Sequence, residues 1–228
     1  MLFGPFWRLQ YFYCVRRKEI NTISKESAKR FKTFFGVEAN IIYPPVVRLK
    51  CDIDRSLLKK DYFLLVSRLV AYKRVDIVIE AFRILNLPLV VIGNGDKYQE
   101  LKSLAGSNTR FLQHVDDTVL AEYYQNAIAV VFPTYEDFGL VPIEAQWCGT
   151  PVIAYAKGGA LETVIPGKTG VFFGEQTSSG LTKCLCAWGS DLLELRRYFG
   201  GFRVDEMRWN AKKYSEEAFL RQILTTKS

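Results

Sequence analysis

The sequence is poor in several residue types that define special classes of protein. It has one histidine, two methionines and five cysteines in 228 residues. The cysteines are odd in number and scattered, so they predict no disulfide framework; they are Cys14, Cys51, Cys148, Cys184 and Cys186. Cys184 and Cys186 are too close together for a zinc knuckle and lack a second pair. We therefore expect reduced thiols, a cytoplasmic protein and no metal site.

Long apolar runs, internal repeats and Pro/Ser-rich linkers are also absent from the sequence. A run such as Ile128–Phe132 is far shorter than the roughly 20 residues of a membrane helix. The aromatic start of the chain is interrupted by Arg8 and has no small-residue cleavage site, so we expect no signal peptide. With 49% hydrophobic and 24% charged residues, the composition excludes a wholly disordered protein.

The net charge of +7 is confined to one end of the chain. Residues 1–50 contain ten basic and three acidic side chains, whereas residues 51–228 contain twenty-one of each. A protein that follows a phosphate backbone needs a basic face on its folded body. We therefore do not expect a nucleic acid partner.

Short apolar runs alternate with helical periodicity from residue 61 onward. The predicted strands are Tyr62–Ser67, Pro88–Gly93, Arg110–Gln113, Ala129–Phe132, Val152–Tyr155 and Val171–Phe173. The predicted helices are Lys73–Leu85, Asp96–Ala105, Asp116–Ala127, Val141–Cys148, Ser178–Trp188 and one long helix over Arg203–Leu224. This alternation predicts an α/β fold with a doubly wound, mostly parallel sheet. Upstream, Ser24–Phe35 is a predicted helix, and Pro44-Pro45 predicts an extended crossing.

Two glutamates follow the predicted strand that ends at Phe132. In a doubly wound sheet, ligands bind beyond the carboxyl ends of the strands. Glu136 and Glu144 have seven residues between them, and Gly139 allows the backbone to approach a ligand. The amides of Phe138, Gly139 and Leu140 would face outward at a helix start, where a phosphate binds well. Glu144 could accept hydrogen bonds from a ribose diol, although such a pair also occurs by chance in loops.

A second group of candidates is basic. Arg68 and Lys73 follow the first predicted strand and could neutralise a diphosphate without a metal. Taken alone, such a pair is more often two solvated loop charges. His114 lies at another strand end, where ligand contact or a structural role is open.

Two further motifs are weaker. Gly93-Asn94-Gly95 is only part of a dinucleotide fingerprint, because Tyr98 stands at the third glycine position; we interpret it as a tight turn. Asp52 and Asp54 form an Asp-x-Asp pair in the connector, which we interpret as a surface accident.

Together these segments resemble the C-terminal, donor-binding domain of the GT-B-fold retaining glycosyltransferases of the group 1 type, family four. The matching stretches are SRLVAYKRVDIVIEAF (67–82), VVIGNGD (90–96), RFLQHVDD (110–117), VFPTYEDFGLVPIEAQWCGTPVIA (131–154) and GGALETVIPGKTGVFF (158–173). Flanking segments at 37–47 and 210–219 resemble the interdomain crossing and the closing helix of that family. The crossing with Lys73-Arg74 is most similar to bacterial mannosyltransferases of surface polysaccharides.

The resemblance implies a role for each candidate residue. Arg68 and Lys73 match the pair that holds the donor diphosphate, and Glu136 matches the glutamate that faces the donor sugar; these three are the predicted catalytic residues. The predicted donor-binding residues are Phe138, Gly139 and Leu140 beneath the phosphates and sugar, Glu144 on the ribose hydroxyls, and His114 and Val115 near the nucleobase.

The chain departs from the family in three places. Asp96 replaces a frequent proline in the GxG loop, and Val47 replaces a frequent aspartate after the double proline. The N-terminal domain, which supplies acceptor binding, is missing except for its last helix. The resemblance thus divides the chain into a remnant and connector (1–50), a Rossmann-like nucleotide-sugar-binding domain (51–200) and a C-terminal helix (201–228).

The predicted function is transfer of a hexose, such as mannose, from a GDP- or UDP-linked donor to an acceptor hydroxyl with retention. No cofactor or metal is expected, and the acceptor would be a sugar or lipid-linked glycan. The alternatives are a non-catalytic nucleotide-sugar-binding module or remnant, and a GT-B epimerase, against which the Glu136 and Glu144 arrangement argues. We expect the chain alone to be weakly active or inactive. A separate polypeptide with the N-terminal domain, or a membrane surface, could contact residues 1–20.

Overall fold

The computed structural model describes residues 19–46, 49–51 and 59–226. The strands in these ranges are β1 (Asn21–Thr22), β2 (Asn40–Ile41), β3 (Tyr62–Val66), β4 (Leu89–Ile92), β5 (Thr109–Leu112), β6 (Ala127–Phe132), β7 (Val152–Tyr155) and β8 (Gly170–Phe173). The helices are α1 (Lys25–Phe35), α2 (Val75–Leu85), α3 (Tyr98–Leu104), α4 (Asp117–Asn126), α5 (Val141–Trp147), α6 (Ala160–Thr163), α7 (Ser178–Trp188), α8 (Leu192–Gly200), α9 (Val204–Lys212) and α10 (Glu216–Thr226). A single 3₁₀ turn, Ala71–Lys73, precedes α2.

Six strands form one parallel sheet in the order β5-β4-β3-β6-β7-β8. The order reverses direction between β3 and β6, which places the topological switch point at the carboxyl ends of these two strands. The prediction of a doubly wound, mostly parallel α/β fold is confirmed. A separate two-stranded sheet is also parallel. It consists of β1, which precedes α1 in sequence, and β2, which follows it.

The core consists of two apolar layers, one on each face of the sheet. Successive strand residues point to opposite faces, so Phe63 and Leu65 of β3 enter one layer and Leu64 enters the other. Helices α2, α7 and α8 cover the first layer, and α4 and α5 cover the second. Because both faces are covered, β4, β6 and β7 are buried along their whole length, which explains their continuous apolar sequences.

Two expectations about the C-terminal part were wrong. The sequence predicted one helix over Arg203–Leu224, but the segment forms α9 and α10 with a break at Lys213–Ser215. There Tyr214 is buried, and its hydroxyl donates to the Glu162 carbonyl at 2.8 Å, which fixes the chain at the break. Helix α8 was not predicted, and it docks through the buried Leu195 and Phe199.

The expectation of reduced thiols is wrong for one pair of cysteines. Cys51 and Cys148, which are 97 positions apart in sequence, form a disulfide with a Cα–Cα distance of 5.3 Å. Cys184 and Cys186 are free thiols, and Cys14 lies outside the described residues, as do Val47, Asp52 and Asp54. In the ranges that the structure describes, no helix is long and apolar enough to cross a membrane.

Helix α1 is docked on the sheet domain mainly by polar contacts. Glu162 accepts hydrogen bonds from the amides of Lys25 (2.9 Å) and Glu26 (3.2 Å), and Ser24 completes a capping box. Helix amides in the first turn lack intrahelical acceptors, so the Glu162 carboxylate satisfies two of them from a different element. Arg30 also pairs with Asp137 at 2.7 Å.

Candidate active site

A cavity of about 490 Å³ lies at the carboxyl ends of β3, β4, β5 and β6. Its lining includes seven of the nine predicted site residues, namely Arg68, Lys73, His114, Val115, Glu136, Leu140 and Glu144. Phe138 and Gly139 line a neighbouring open cavity of about 610 Å³, together with Glu136 and Leu140. The structure thus brings together basic and acidic side chains that are up to 76 positions apart in sequence.

The basic side of the cavity follows β3. Arg68 is exposed, and its guanidinium has no carboxylate partner within the described part of the chain. Lys73 is more enclosed, with 15% of its side chain exposed, and pairs with Glu136. Burial and the neighbouring Arg68 charge both lower the pKa of Lys73. Two cations held this close, with one not neutralised, form a favourable position for an anion.

A buried hydroxyl that the sequence analysis missed fixes the turn carrying Lys73. Thr134 is 2% exposed, and its Oγ1 donates to the Lys73 carbonyl at 3.1 Å. This bond ties the turn after β3 to the end of β6. The basic and acidic sides of the cavity therefore share one rigid support.

The acidic side is the loop from Glu136 to Leu140, whose shape depends on glycines. Gly139 has φ of 86°, and a Cβ there would come within 2.8 Å of the Phe132 ring. At Gly159 a Cβ would approach the Phe138 backbone within 2.2 Å, and its amide donates to the Glu136 carbonyl at 2.8 Å. Glycine is required at both positions because other residues would displace the loop.

The loop amides and the Phe138 side chain face different surroundings. In the ranges that the structure describes, the amides of Phe138, Gly139 and Leu140 donate to no protein acceptor. The Phe138 ring is buried and packs against Tyr43 and Tyr214, with ring centroids 5.7 and 5.4 Å away. Its side chain therefore anchors the loop, and only its backbone is available to a ligand.

Glu144 lies on α5 and lines the cavity. Burial raises the pKa of this carboxyl. Its Oε2 accepts a hydrogen bond of 2.7 Å from the Tyr124 hydroxyl, a contact that the sequence analysis missed. Tyr124 is completely buried, so its hydroxyl needs a protein partner.

The remaining predicted positions frame the cavity. His114 is exposed and Val115 is half-buried just after the end of β5, and both line the cavity. Glycine is required at both glycine positions of the GxG loop, because a Cβ at Gly93 would meet the Ser67 carbonyl oxygen at 1.8 Å and one at Gly95 would meet that of Leu69 at 2.2 Å. This close backbone approach agrees with the interpretation as a tight turn.

Comparisons with known proteins show which family and which solved structures this chain is similar to. Residues 52–200 match the family model of the glycosyl transferases group 1. The chain is 32% identical over 182 residues to a GDP-mannose-dependent α-(1-6)-phosphatidylinositol monomannoside mannosyltransferase of Mycolicibacterium smegmatis, covering 66% of this chain and 47% of that protein. It is 34% identical over 159 residues to a D-inositol 3-phosphate glycosyltransferase of Xylanimonas cellulosilytica, covering 60% and 37%. HepE of Anabaena, solved with UDP and glucose, superposes with a TM-score of 0.75 at 19% identity, over 91% of this chain and 62% of that one.

The fold is thus one Rossmann-like half of a GT-B glycosyltransferase, with a cavity at the switch point of its sheet. The chain belongs to the group 1 glycosyltransferase family, since the family model matches well over half of its residues. The resemblance noted in the sequence is confirmed. The chain spans about half the length, or less, of the curated relatives it matches.

Proposed function

We propose that the chain is the donor-binding half of a hexosyltransferase. It binds a nucleoside-diphosphate sugar, linked to GDP or UDP, in the cavity at the carboxyl ends of β3–β6. The observation that carries this proposal is that one cavity is lined by enclosed Lys73, by Glu136 and Glu144, and by Arg68, which has no carboxylate partner among the described residues. The family of the chain and the ligands named for its relatives support it.

The proposed reaction transfers the sugar to an acceptor hydroxyl with retained configuration. Arg68 and Lys73 stabilise the diphosphate as it leaves, and the free amides at Phe138–Leu140 supply further donors. Glu136 faces the donor sugar, Glu144 holds the ribose hydroxyls, and His114 and Val115 border the nucleobase. No metal is needed, because the two cations supply the positive field.

Donor binding can be tested by titration calorimetry with GDP and UDP in the presence and absence of EDTA. We expect binding in both conditions, and a loss of about 1.5–3 kcal/mol for Arg68→Ala or Lys73→Ala, the scale of a charge-assisted hydrogen bond. Arg74→Ala is the matched control, because this neighbouring guanidinium pairs with Asp76 outside the cavity lining. Strict metal dependence, or an equal loss in all three variants, would overturn the proposal.

The acceptor, a sugar or lipid-linked glycan, needs groups that we assign to the other half of the GT-B cleft. Positioning two reactants contributes roughly 7–11 kcal/mol to lowering a barrier. We therefore propose that the chain alone hydrolyses its donor slowly at most, and transfers sugar only with a polypeptide that supplies the other domain. We propose the cytoplasm as the site of action, where residues 1–20 contact that partner or the inner membrane surface. The free thiols of Cys184 and Cys186 support this location, whereas the Cys51–Cys148 disulfide does not.

A second candidate function is a non-catalytic nucleotide-sugar-binding module. Product analysis with labelled GDP-mannose and UDP-glucose distinguishes the two, because only the enzyme half gains transfer when the complementary domain is added. Robust transfer by the chain alone would contradict both the module and the need for a partner.

A further inference from the structure

Tyr124 is completely buried, and its hydroxyl bonds to a group that lines the candidate donor cavity. No other completely buried tyrosine among the described residues makes such a bond. It donates to Glu144 Oε2 at 2.7 Å, and the Tyr124 side chain is 0% exposed. The phenol of Tyr124 comes from α4 and the carboxylate of Glu144 from α5. Both helices pack on the same face of the sheet. Burial restricts the movement of the phenol, so the bond restrains Glu144 Oε2.

The backbone around Tyr124 is also held firmly. Thr150 Oγ1 donates to the Tyr124 carbonyl at 2.6 Å, and Thr150 is itself buried. This bond links the end of α4 to the turn after α5. The position of the phenol is therefore restrained both by packing and by a hydrogen bond to its backbone.

We propose that Tyr124 is a positioning residue that orients Glu144 for a vicinal diol of the ligand. The inference rests on the proposed function, since it takes Glu144 as the ribose-binding group. A carboxylate that binds two hydroxyls needs free lone pairs directed into the cavity, and the phenol occupies a site on Oε2 on the protein side. Oε1 is left for the ligand.

The charge of Glu144 depends on the same contact. Burial raises its pKa, and so does the negative charge of Asp117, whereas the Tyr124 hydrogen bond lowers it. Arg68, Lys73, His114 and Glu136 line the same cavity. Without the phenol, less would oppose the effect of burial on the pKa of Glu144. The carboxyl would then keep its proton up to a higher pH.

The test compares wild type with Tyr124→Phe, using UDP and GDP and the 2′-deoxy counterpart of each as probes. The ratio of the two dissociation constants isolates the hydroxyl contact, because groups around the phosphates and base affect both ligands alike. We expect wild type to prefer the ribonucleotide, and Tyr124→Phe to lose about threefold to tenfold of that preference, the scale of one hydrogen bond. As the pH is lowered, both proteins should lose the preference for the ribonucleotide. The variant should lose it at a higher pH than wild type does.

Tyr62→Phe is the matched control, because its hydroxyl donates at 3.0 Å to a backbone carbonyl, that of Tyr123. This variant should keep the wild-type ratio and pH midpoint. Both substitutions keep the ring volume, so thermal unfolding can show that each variant is folded. In a Glu144→Gln background, Tyr124→Phe should leave the ratio unchanged.

The outcomes separate this inference from the proposed function. No binding of UDP or GDP by wild type would overturn the proposed function and the inference with it. Binding with no preference for the ribonucleotide would overturn the inference and leave donor binding intact. An unchanged ratio and midpoint in Tyr124→Phe would show that the hydrogen bond is only structural.

Discussion

Helices α1 and α2 have the same length, eleven residues, and both are amphipathic, yet they are held in different ways. Helix α2 buries six residues, including Val78 and Phe82, whereas α1 buries none of its side chains. What fixes α1 is its N-terminal cap on Glu162 and its ion pair with Asp137. Amphipathic periodicity thus predicts a helix, but it does not tell whether packing or polar contacts hold that helix in place.

The largest expected difference between the two helices is in how much each contributes to the free energy of unfolding. Phe82 is fully buried and its ring centroid lies 5.1 Å from that of Phe63. Phe82→Ala should lower the free energy of unfolding by about 3–5 kcal/mol. Phe34 of α1 is 59% exposed, and Phe34→Ala should change it by less than about 0.5 kcal/mol. Urea denaturation measures both, and similar losses would contradict the comparison.

Removal of the cap should release α1 without unfolding the sheet. Glu162→Ala leaves the amides of Lys25 and Glu26 without their acceptor, and the hydroxyl of Tyr43, which donates to Glu162 at 3.0 Å, loses its partner too. We expect the protection of α1 amides against hydrogen exchange to fall by about 1–2 kcal/mol. Glu80→Ala, on the exposed side of α2, is the control. Equal loss of protection across β3 and β6 would show that the cap supports the whole domain.

The pH dependence of the unfolding free energy should reveal the buried carboxyl of Glu144. The folded state raises the pKa of Glu144, so it binds this proton more tightly than the unfolded chain does. Unfolding free energy should therefore fall as the pH rises from the usual carboxyl range through the raised pKa. Glu144→Gln should remove this decrease in thermal unfolding measured from pH 4 to 7. The same slope in both proteins would show that Glu144 is not the source.

The smallest effect should come from the ion pair between α1 and the site loop. Both Arg30 and Asp137 are partly exposed, at 46% and 36%, and such pairs contribute at most about 1 kcal/mol. Arg30→Ala should weaken the docking of α1 at low salt, and the difference from wild type should vanish near 1 M salt. Hydrogen exchange of α1 at two salt concentrations measures this. A salt-independent loss would indicate that Arg30 acts through its contact with the Tyr135 ring.

Most of the sheet could be predicted from the sequence, because each strand is a short apolar run followed by a helix with one apolar face. Helix α8 was missed because the two buried residues that dock it, Leu195 and Phe199, are few in a polar segment. The break between α9 and α10 depends on Tyr214, whose burial against Phe138 is a long-range contact. The disulfide between Cys51 and Cys148 was missed for the same reason.

The candidate site shows the same division. The pattern of polar residues after the predicted strands named Arg68, Lys73, Glu136 and Glu144 as candidates, and the family resemblance gave them roles. The fold brings all four to one cavity, because topology brings strand ends together. Their supports are the buried side chains of Thr134, in the loop after β6, and Tyr124, on α4. Hydroxyls buried among apolar neighbours carry no pattern of their own, so only the fold reveals which group each one contacts.

The most direct test of this account is where a nucleotide protects the chain. Hydrogen exchange should be measured with and without saturating UDP or GDP. We predict protection in three segments at the carboxyl edge of the sheet, residues 67–74, 113–115 and 136–144, with none in α9. Protection that falls instead on the open cavity lined by Trp147, Lys168 and Trp209, or that is absent at a saturating nucleotide concentration, would contradict the assignment of the donor site.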